Sequence, residues 1–262
     1  MKSFLCAVIV ASAAGQALAS AQVDSPKALK FDVASVRRNT SGESKAGMGR
    51  APAGIAFINV TLQRLLQSAF ALRDFQVVGG PSWLSTDKFD VIAKAAAGST
   101  PTRADINQMF QQLLIERFKL VHRLETRAMP IYALTMVKPG VLGERLRRNS
   151  IDCASPDTPV AVRRDPKQCG LRFGYSTIDS QGRTLEYLTE SLTSHTGRLI
   201  VDRTGLTGAF DFSIQWNRAG TSDSPDPSLF AALQEQLGLT LESTTGPVEI
   251  LTIQKAEHPT PD

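Results

Sequence analysis

NVTLQRLLQSAF (59–70) and GRTLEYLTESL (182–192) decide the architecture, because each opens a run of sequence that the other run repeats in order. The first is followed by FQVVGGPSWLSTDKFDVIAK (75–94), a helical stretch around MFQQLLIERFKLVHR (109–123), and PIYALTMVK (130–138). The second is followed by RLIVDRTGLTGAFDFSIQW (198–216), LFAALQEQLGLTLES (229–243) and PVEILTIQK (247–255). Thr61 and Thr184 each stand one residue before an apolar series, where a hydroxyl can accept a hydrogen bond from a free amide of the first helical turn. Leu62, Leu65, Leu66, Ala69 and Phe70 then keep the spacing of a helix with one buried face. Leu185, Leu188 and Leu192 hold the same phase up to Gly197, a residue suited to the left-handed end of a helix.

Beyond each helix the sequence reads as a β-rich run, a glycine-containing turn and a second strand with Phe-Asp at matching places, Phe89–Asp90 and Phe210–Asp211. Both runs are expected to be hairpins. Phe212, Ile214 and Trp216 alternate as on a strand with one buried face. A second helix follows in each run. Thr102 with Asp105 opens the first, with Ile106, Met109, Phe110, Leu113 and Leu114 as its stripe. Asp226 with Pro227 opens the other, in which Phe230, Leu233 and Leu237 are buried before Gly238 stops it. Two closing strands per run make the order βαββαββ, and the short connections favour antiparallel pairing. The expected fold is therefore α+β, with two similar βαββαββ halves of two helices each. Their bounds are 22–140 and 175–257, joined by a connector over 141–174, with a frayed tail over 258–262. TSGESKAGMGRAPAG (40–54) lacks apolar periodicity and is expected to be a mobile loop, while AAAGSTPT (95–102) and RAGTSDSPDP (218–227) occupy equivalent places between strand and helix.

Residues 1–21 carry one positive charge at Lys2, an apolar run from Phe4 to Ala14, and small residues at Ala17, Ala19 and Ala21. That order is that of a secretory signal peptide, with cleavage after Ala19 or Ala21, of which we favour Ala21. The apolar run is shorter than the roughly 20 residues a membrane-spanning helix needs, and no transmembrane segment is expected in the mature chain. Export places the protein in the periplasm or outside the cell. Cys6 leaves with the signal, so Cys153 and Cys169 remain as an even pair in an oxidising compartment and are expected to form a structural disulfide. Their spacing is not the CxxC of redox pairs. Loss of Lys2 lowers the formal charge from +4 to +3, too small an excess to point to a charged partner, and an exported protein rarely meets nucleic acid. The excess is nevertheless concentrated around the cysteines, in Arg145, Arg147, Arg148, Arg163, Arg164, Lys167 and Arg172. A solvated connecting segment explains it, and contact with an anionic envelope surface is the sharper alternative.

No catalytic, cofactor or metal constellation stands out. His122, His195 and His258 form no two-ligand motif, and their expected places are strand surface, helix end and tail, so no zinc site is expected. There is no GxSxG elbow. His195 with Asp202 and Ser191 or Ser194 makes a triad only of the sort that chance supplies. Neither GxGxxG nor GxxxxGKS is present, and VVGGP and RTGLTG read as turns. Asp90 and Asp211 are related by the repeat, which does not bring them together, and a structural hydrogen bond explains each. Trp83, Trp216, Tyr132, Tyr175 and Tyr187 would form a glycan or peptide platform if exposed, but Trp216 reads as core.

FDVASVRRN (31–39), together with the blocks 59–70, 77–94, 113–136, 201–216 and 227–251, resembles a family of soil-associated exported proteins, abundant in Acidobacteria and known as a domain of unknown function. The resemblance spans nearly all of the mature chain and departs at Arg38, where that family usually has proline. It implies no catalytic residue, ligand or cofactor. In some members a similar domain is attached to an integral-membrane zinc metallopeptidase of an antibiotic-sensing kind, which implies an extracytoplasmic sensing or binding role. The helix-then-strand-pair unit is also similar, as a fold-level analogy, to the short N-terminal domain of secretins and TonB-dependent receptors. The expected function is a non-catalytic extracytoplasmic module that contacts a peptide, glycan or envelope protein through strand edges and a central cleft between the halves. The alternatives are a secreted hydrolase acting on an environmental polymer and a structural envelope component.

Overall fold

The structure, a computed structural model, describes residues 29–49, 53–217 and 226–260. The expected signal peptide, Cys6, most of 218–227 and the last two residues lie outside these ranges. The first copy runs β1 (Val33–Asn39), β2 (Gly47–Gly49), β3 (Gly54–Thr61), α1 (Leu62–Phe70), β4 (Val77–Gly79), β5 (Lys88–Lys94), α2 (Arg103–Arg117) and β6 (Val121–Met136). The second repeats it as β7 (Leu146–Asn149), α3 (Val160–Arg164), β8 (Leu171–Phe173), β9 (Thr177–Arg183), α4 (Leu185–Thr196), β10 (Ile200–Asp202), β11 (Ala209–Gln215), α5 (Leu229–Ala232) and β12 (Leu239–Lys255), with a wider π turn over Leu233–Leu237 after α5. Among these α-helices and strands, α3, inside the disulfide loop, has no counterpart.

Two four-stranded antiparallel sheets have the same order, β1-β5-β3-β2 and β7-β11-β9-β8. The fold is thus α+β with mainly antiparallel sheets, and Leu65 on α1 and Leu188 on α4 are both fully buried at equivalent places. The disulfide-containing connector does more than link the copies, because its β7 and β8 are the counterparts of β1 and β2. The Thr40–Gly54 stretch likewise holds β2, and Asn59 Nδ2 donates to Glu43 O and Lys45 O within it.

The expected hairpins do not form. Instead β4 pairs in parallel with the end of β12, through Val77–Leu251 to Gly79–Ile253, and β10 pairs in parallel with the end of β6, through Ile200–Tyr132 to Asp202–Leu134. The two closing strands expected in each half are one continuous strand of 16 or 17 residues, and β6 and β12 pair antiparallel along their full length. A third sheet, β10-β6-β12-β4, results, in which each copy holds a strand of the other. The expected helical run over 109–123 stops at Arg117, where Lys119 adopts left-handed backbone (φ 49°) and turns the chain into β6.

Helix ends agree with the sequence in part. Thr61 Oγ1 accepts from Arg64 N, and Thr102 and Asp105 form a reciprocal capping box. Thr184 stands at the N-cap of α4 but its hydroxyl makes no capping bond, and Ser228, not Asp226, caps α5 by accepting from Ala231 N. Gly197 and Gly238 end their helices in left-handed backbone. Phe230, expected in the core, is exposed and meets the Tyr132 ring edge-on at 5.5 Å, because α5 turns it toward β6.

The strand exchange sets where the cores lie. The first packs Leu65, Leu66, Phe89, Phe110 and Leu114 against Leu251 and Ile253 from the far end of the chain. The second packs Leu188, Leu192, Phe210, Ile214 and Trp216 against Leu134 from the first copy. Between them, Ile131, Val248 and Ile250 pack with Phe75, Val78 and Leu199 where the two copies meet. Where β4 meets β12, Gly79 and Gly80 both have positive φ, and a Cβ on Gly80 would stand 2.2 Å from Leu84 Cδ1 and 3.0 Å from Ile253 Cγ2. Glycine is required there both for the turn and for the close approach.

Because each lobe contains a piece of the other copy, the chain is expected to unfold as one unit. Ile253→Ala removes a buried side chain from the first core and is expected to cost about 3 kcal/mol. In a Trp83→Phe background, Trp216 fluorescence reads only the second lobe. Its urea midpoint should fall together with the far-UV signal, and a second-lobe midpoint left unmoved would contradict the coupling.

Candidate functional site

The repeat-related carboxylates are clips for the backbone. Asp90 Oδ1 accepts from Asn39 Nδ2 and from the amide of Asn59, both at 2.8 Å. Asp211 Oδ1 accepts from Asn149 Nδ2 at 2.7 Å and from the amide of Gly182 at 2.9 Å. Asn59 (φ 57°) and Gly182 (φ 61°) are both left-handed, and the ladders shift register beside them. Each Asp therefore satisfies an amide that a bulge turns out of the strand ladder. The asparagines belong to Arg-Arg-Asn triplets at 37–39 and 147–149, a recurrence that sequence comparison of the two runs had the means to reveal.

The chance triad does not assemble. His195 Nδ1 lies 3.1 Å from Ser191 O and its ring meets Trp216 edge-on, while Ser191 Oγ donates to Tyr187 O and Ser194 Oγ to Ser191 O. Asp202 Oδ1 accepts from Thr204 N and Oγ1. His122 packs edge-on against Phe70. Among the described residues no group of three or more His, Cys, Asp or Glu is placed to hold a metal ion. Among the described residues, no helix is long and apolar enough to cross a membrane.

His258, expected in a frayed tail, is docked. Its ring stacks on Trp83 at 4.0 Å between centroids, and its Nε2 lies 2.8 Å from Asp87 Oδ2, which also takes the Arg38 guanidinium at 2.8 Å. The residue at which the resemblance expects proline thus contributes half of a clasp on the end of the chain. The hydrogen bond from His258, then the Arg38 charge, hold the Asp87 carboxyl below its ordinary range against the opposing effect of burial.

Three surfaces are shaped for contact. The first is a groove of about 510 Å³ on the outer face of the β7-β11-β9-β8 sheet. Arg145, Arg147 and Arg172 line it with Asp179 and Gln181, and Pro166 of the disulfide loop walls it. Part of the basic cluster converges there. Arg148 instead lies over the Phe210 ring and donates to Thr207 O, and Arg163, Arg164 and Lys167 are exposed on the loop. Cys153 and Cys169 form a disulfide, with Cα atoms 5.6 Å apart. A Cβ on Gly182 would stand 2.4 Å from Cys153 Sγ, so the loop lies directly on the sheet.

The second surface is the free edge of β8. Gly174 N donates to Thr177 O and Gln181 N to Gly170 O. In an antiparallel pair the alternation then turns the N–H and C=O of Leu171 and Phe173 away from β9. Leu171, Phe173 and Tyr175 are exposed there, Tyr175 by 78%. Phe173 meets the Tyr187 ring at 6.3 Å, and Arg183 lies over Tyr187. The third surface is a cleft of about 680 Å³ in the first lobe, between α1, the start of α2 and β3, with Glu190 of α4 at its rim. The sequence gives no local signal for this cleft, whose walls come from separate elements.

A family model described as a protein of unknown function (DUF3738) matches residues 63–256. No curated protein and no solved structure matches the chain.

Two outcomes follow from these contacts. Replacing Cys153 and Cys169 by alanine frees a chain segment whose ends are 16 residues apart. In the chain-entropy picture that lowers unfolding free energy by about 3 kcal/mol, measurable by urea titration against the oxidised parent. The Asp87 clasp is governed by acid. With its folded pKa below the unfolded value, its stabilisation is complete above the ordinary aspartate range and is lost as pH falls through the folded pKa. Carboxyl NMR titration of Asp87 should show its midpoint rising in His258→Ala, and an unmoved midpoint would remove His258 as the main cause.

Proposed function

The chain belongs to the DUF3738 family of proteins of unknown function, and from that premise we propose that it is an exported, non-catalytic binding module acting in the periplasm or outside the cell, where it takes an extended peptide on the edge of β8. The observation that carries this reading is the conjunction at that edge of unspent backbone groups and apolar side chains. Natural sheets usually blunt such edges with charge, proline or a covering segment. Here Leu171 and Phe173 present outward-turned backbone groups beside exposed apolar surface. A peptide strand laid along β8 gains main-chain hydrogen bonds, while Phe173, Tyr175 and Tyr187 form the apolar shelf that selects its side chains.

The export part of the reading rests on the charge, apolar run and small residues of 1–21. The extracytoplasmic binding role also draws on the resemblance to soil-associated exported proteins, abundant in Acidobacteria, some of which carry a similar domain beside a membrane metallopeptidase.

The test uses the chain expressed with its own N-terminus and recovered outside the cytoplasm, where the mature protein is expected to begin at Gln22. A fluorescein-labelled hexapeptide of alternating Val and Thr should bind saturably and shift amide resonances of 171–175. Leu171→Pro, which removes an outward donor, and Phe173→Lys should each weaken binding at least tenfold while the far-UV spectrum is kept. Shifts confined to other strands, or binding indifferent to both substitutions, would end the edge-addition reading.

A further inference from the structure

The first-lobe cleft differs in chemistry from the β8 edge. Its floor is apolar, made by Ile55, Phe57 and Leu72, with the partly buried Ile106 on its wall. Its rim carries three guanidinium groups from three places in the chain: Arg64 on α1, Arg73 just after it, and Arg103 in the first turn of α2. Glu190 is the single carboxylate among the described residues that line it. Arg64 Nη1 donates to Gln67 Oε1 at 2.9 Å, and Arg73 Nη2 donates to the backbone oxygen of Glu190 at 3.0 Å. Among the described residues, no carboxylate forms an ion pair with Arg64, Arg73 or Arg103.

The neutral partners orient Arg64 and Arg73 without cancelling their charge. Gln67, itself buried, is held in turn by donating to Asp74 Oδ1. The geometry is therefore that of a prepared anion rim over an apolar floor, in the size range of small-molecule sites. A wholly polar anion would leave the floor in water. A wholly apolar ligand would desolvate three cations with nothing to replace their hydration. The repeat supplies an internal contrast. The position of Arg64 in the first copy is that of Tyr187 in the second, where Arg183 is spent over an aromatic ring. The two copies present different chemistry at one place, as expected if the first has specialised.

We propose that this cleft binds an amphiphilic monocarboxylate, with its carboxylate held by Arg64 and Arg103 and its apolar body lying over Ile55, Leu72 and Ile106. Guanidinium groups are suited to the task because they grip a carboxylate through two parallel N–H donors. The site is independent of the β8 edge.

The probe is decanoate below its micelle-forming concentration, titrated calorimetrically into the full mature chain, with acetate and methyl decanoate as the head-only and charge-free comparisons. Decanoate is expected to bind at one site per chain, at least tenfold more tightly than either comparison. Arg64→Gln with Arg103→Gln should weaken it at least tenfold, and Ile106→Ala severalfold. Methyl resonances of Ile55 and Ile106 should shift on its addition, while the amides of 171–175 should not. Absence of saturable binding, equal affinity for methyl decanoate, indifference to the double arginine variant with the far-UV spectrum unchanged, or shifts located elsewhere would each overturn the proposal.

Discussion

The antiparallel pairing of β6 with β12 is the constraint from which the rest of the structure follows. Two strands of 16 and 17 residues run the whole way past each other. Each is therefore long enough to start in its own lobe and finish in the other. The pairs Leu124–Leu251 and Tyr132–Ser243 lie on the same uninterrupted ladder, so one register serves both lobes. β4 and β10 follow, since each finds its parallel neighbour at the far end of the other copy's strand. The ladder is continuous, and Ile131, Val248 and Ile250 pack at its centre.

What could be read from the sequence divides along the range of the interactions. Most helix-face positions, the glycine stops, the Thr102–Asp105 box and the buried Trp216 depend on residues a few positions apart, and there the reading and the structure agree, with Phe230 the exception. The cysteine pair was legible from its count together with the export expected from residues 1–21. The exchange of β4 and β10 was not, because a three-residue strand such as Val77–Gly79 looks the same whether it pairs with a near neighbour or with residues 251–253. β7 and β8 hid in an arginine-rich segment whose composition resembles a loop, although the Arg-Arg-Asn triplet at 147–149 marks β7 as the counterpart of β1. Arg64, Arg73 and Arg103 each look like ordinary surface cations in sequence. Only the folding of three elements around an apolar floor gives them a common role.

Duplication also explains how the lobes differ. The elements that hold the fold, the Asp90 and Asp211 clips and the helix faces around Leu65 and Leu188, are kept in both copies. The margins are not. β2 is Gly-Met-Gly where β8 is Leu-Arg-Phe, and the long disulfide loop with α3 belongs to the second copy alone. The shared central sheet bears the structural demand, which leaves edges and rims free to acquire separate chemistry.

The order in which the chain leaves the ribosome gives the exchanged strand a further meaning. The N-terminal lobe is the first to be synthesised, yet its core lacks Leu251 and Ile253 until the second copy has been translated as far as those residues. The first core cannot close on its own from the front, because residues as early as Val36 must wait for Leu251 and Ile253. A premature stop codon shortly before residue 251 therefore injures the lobe made first.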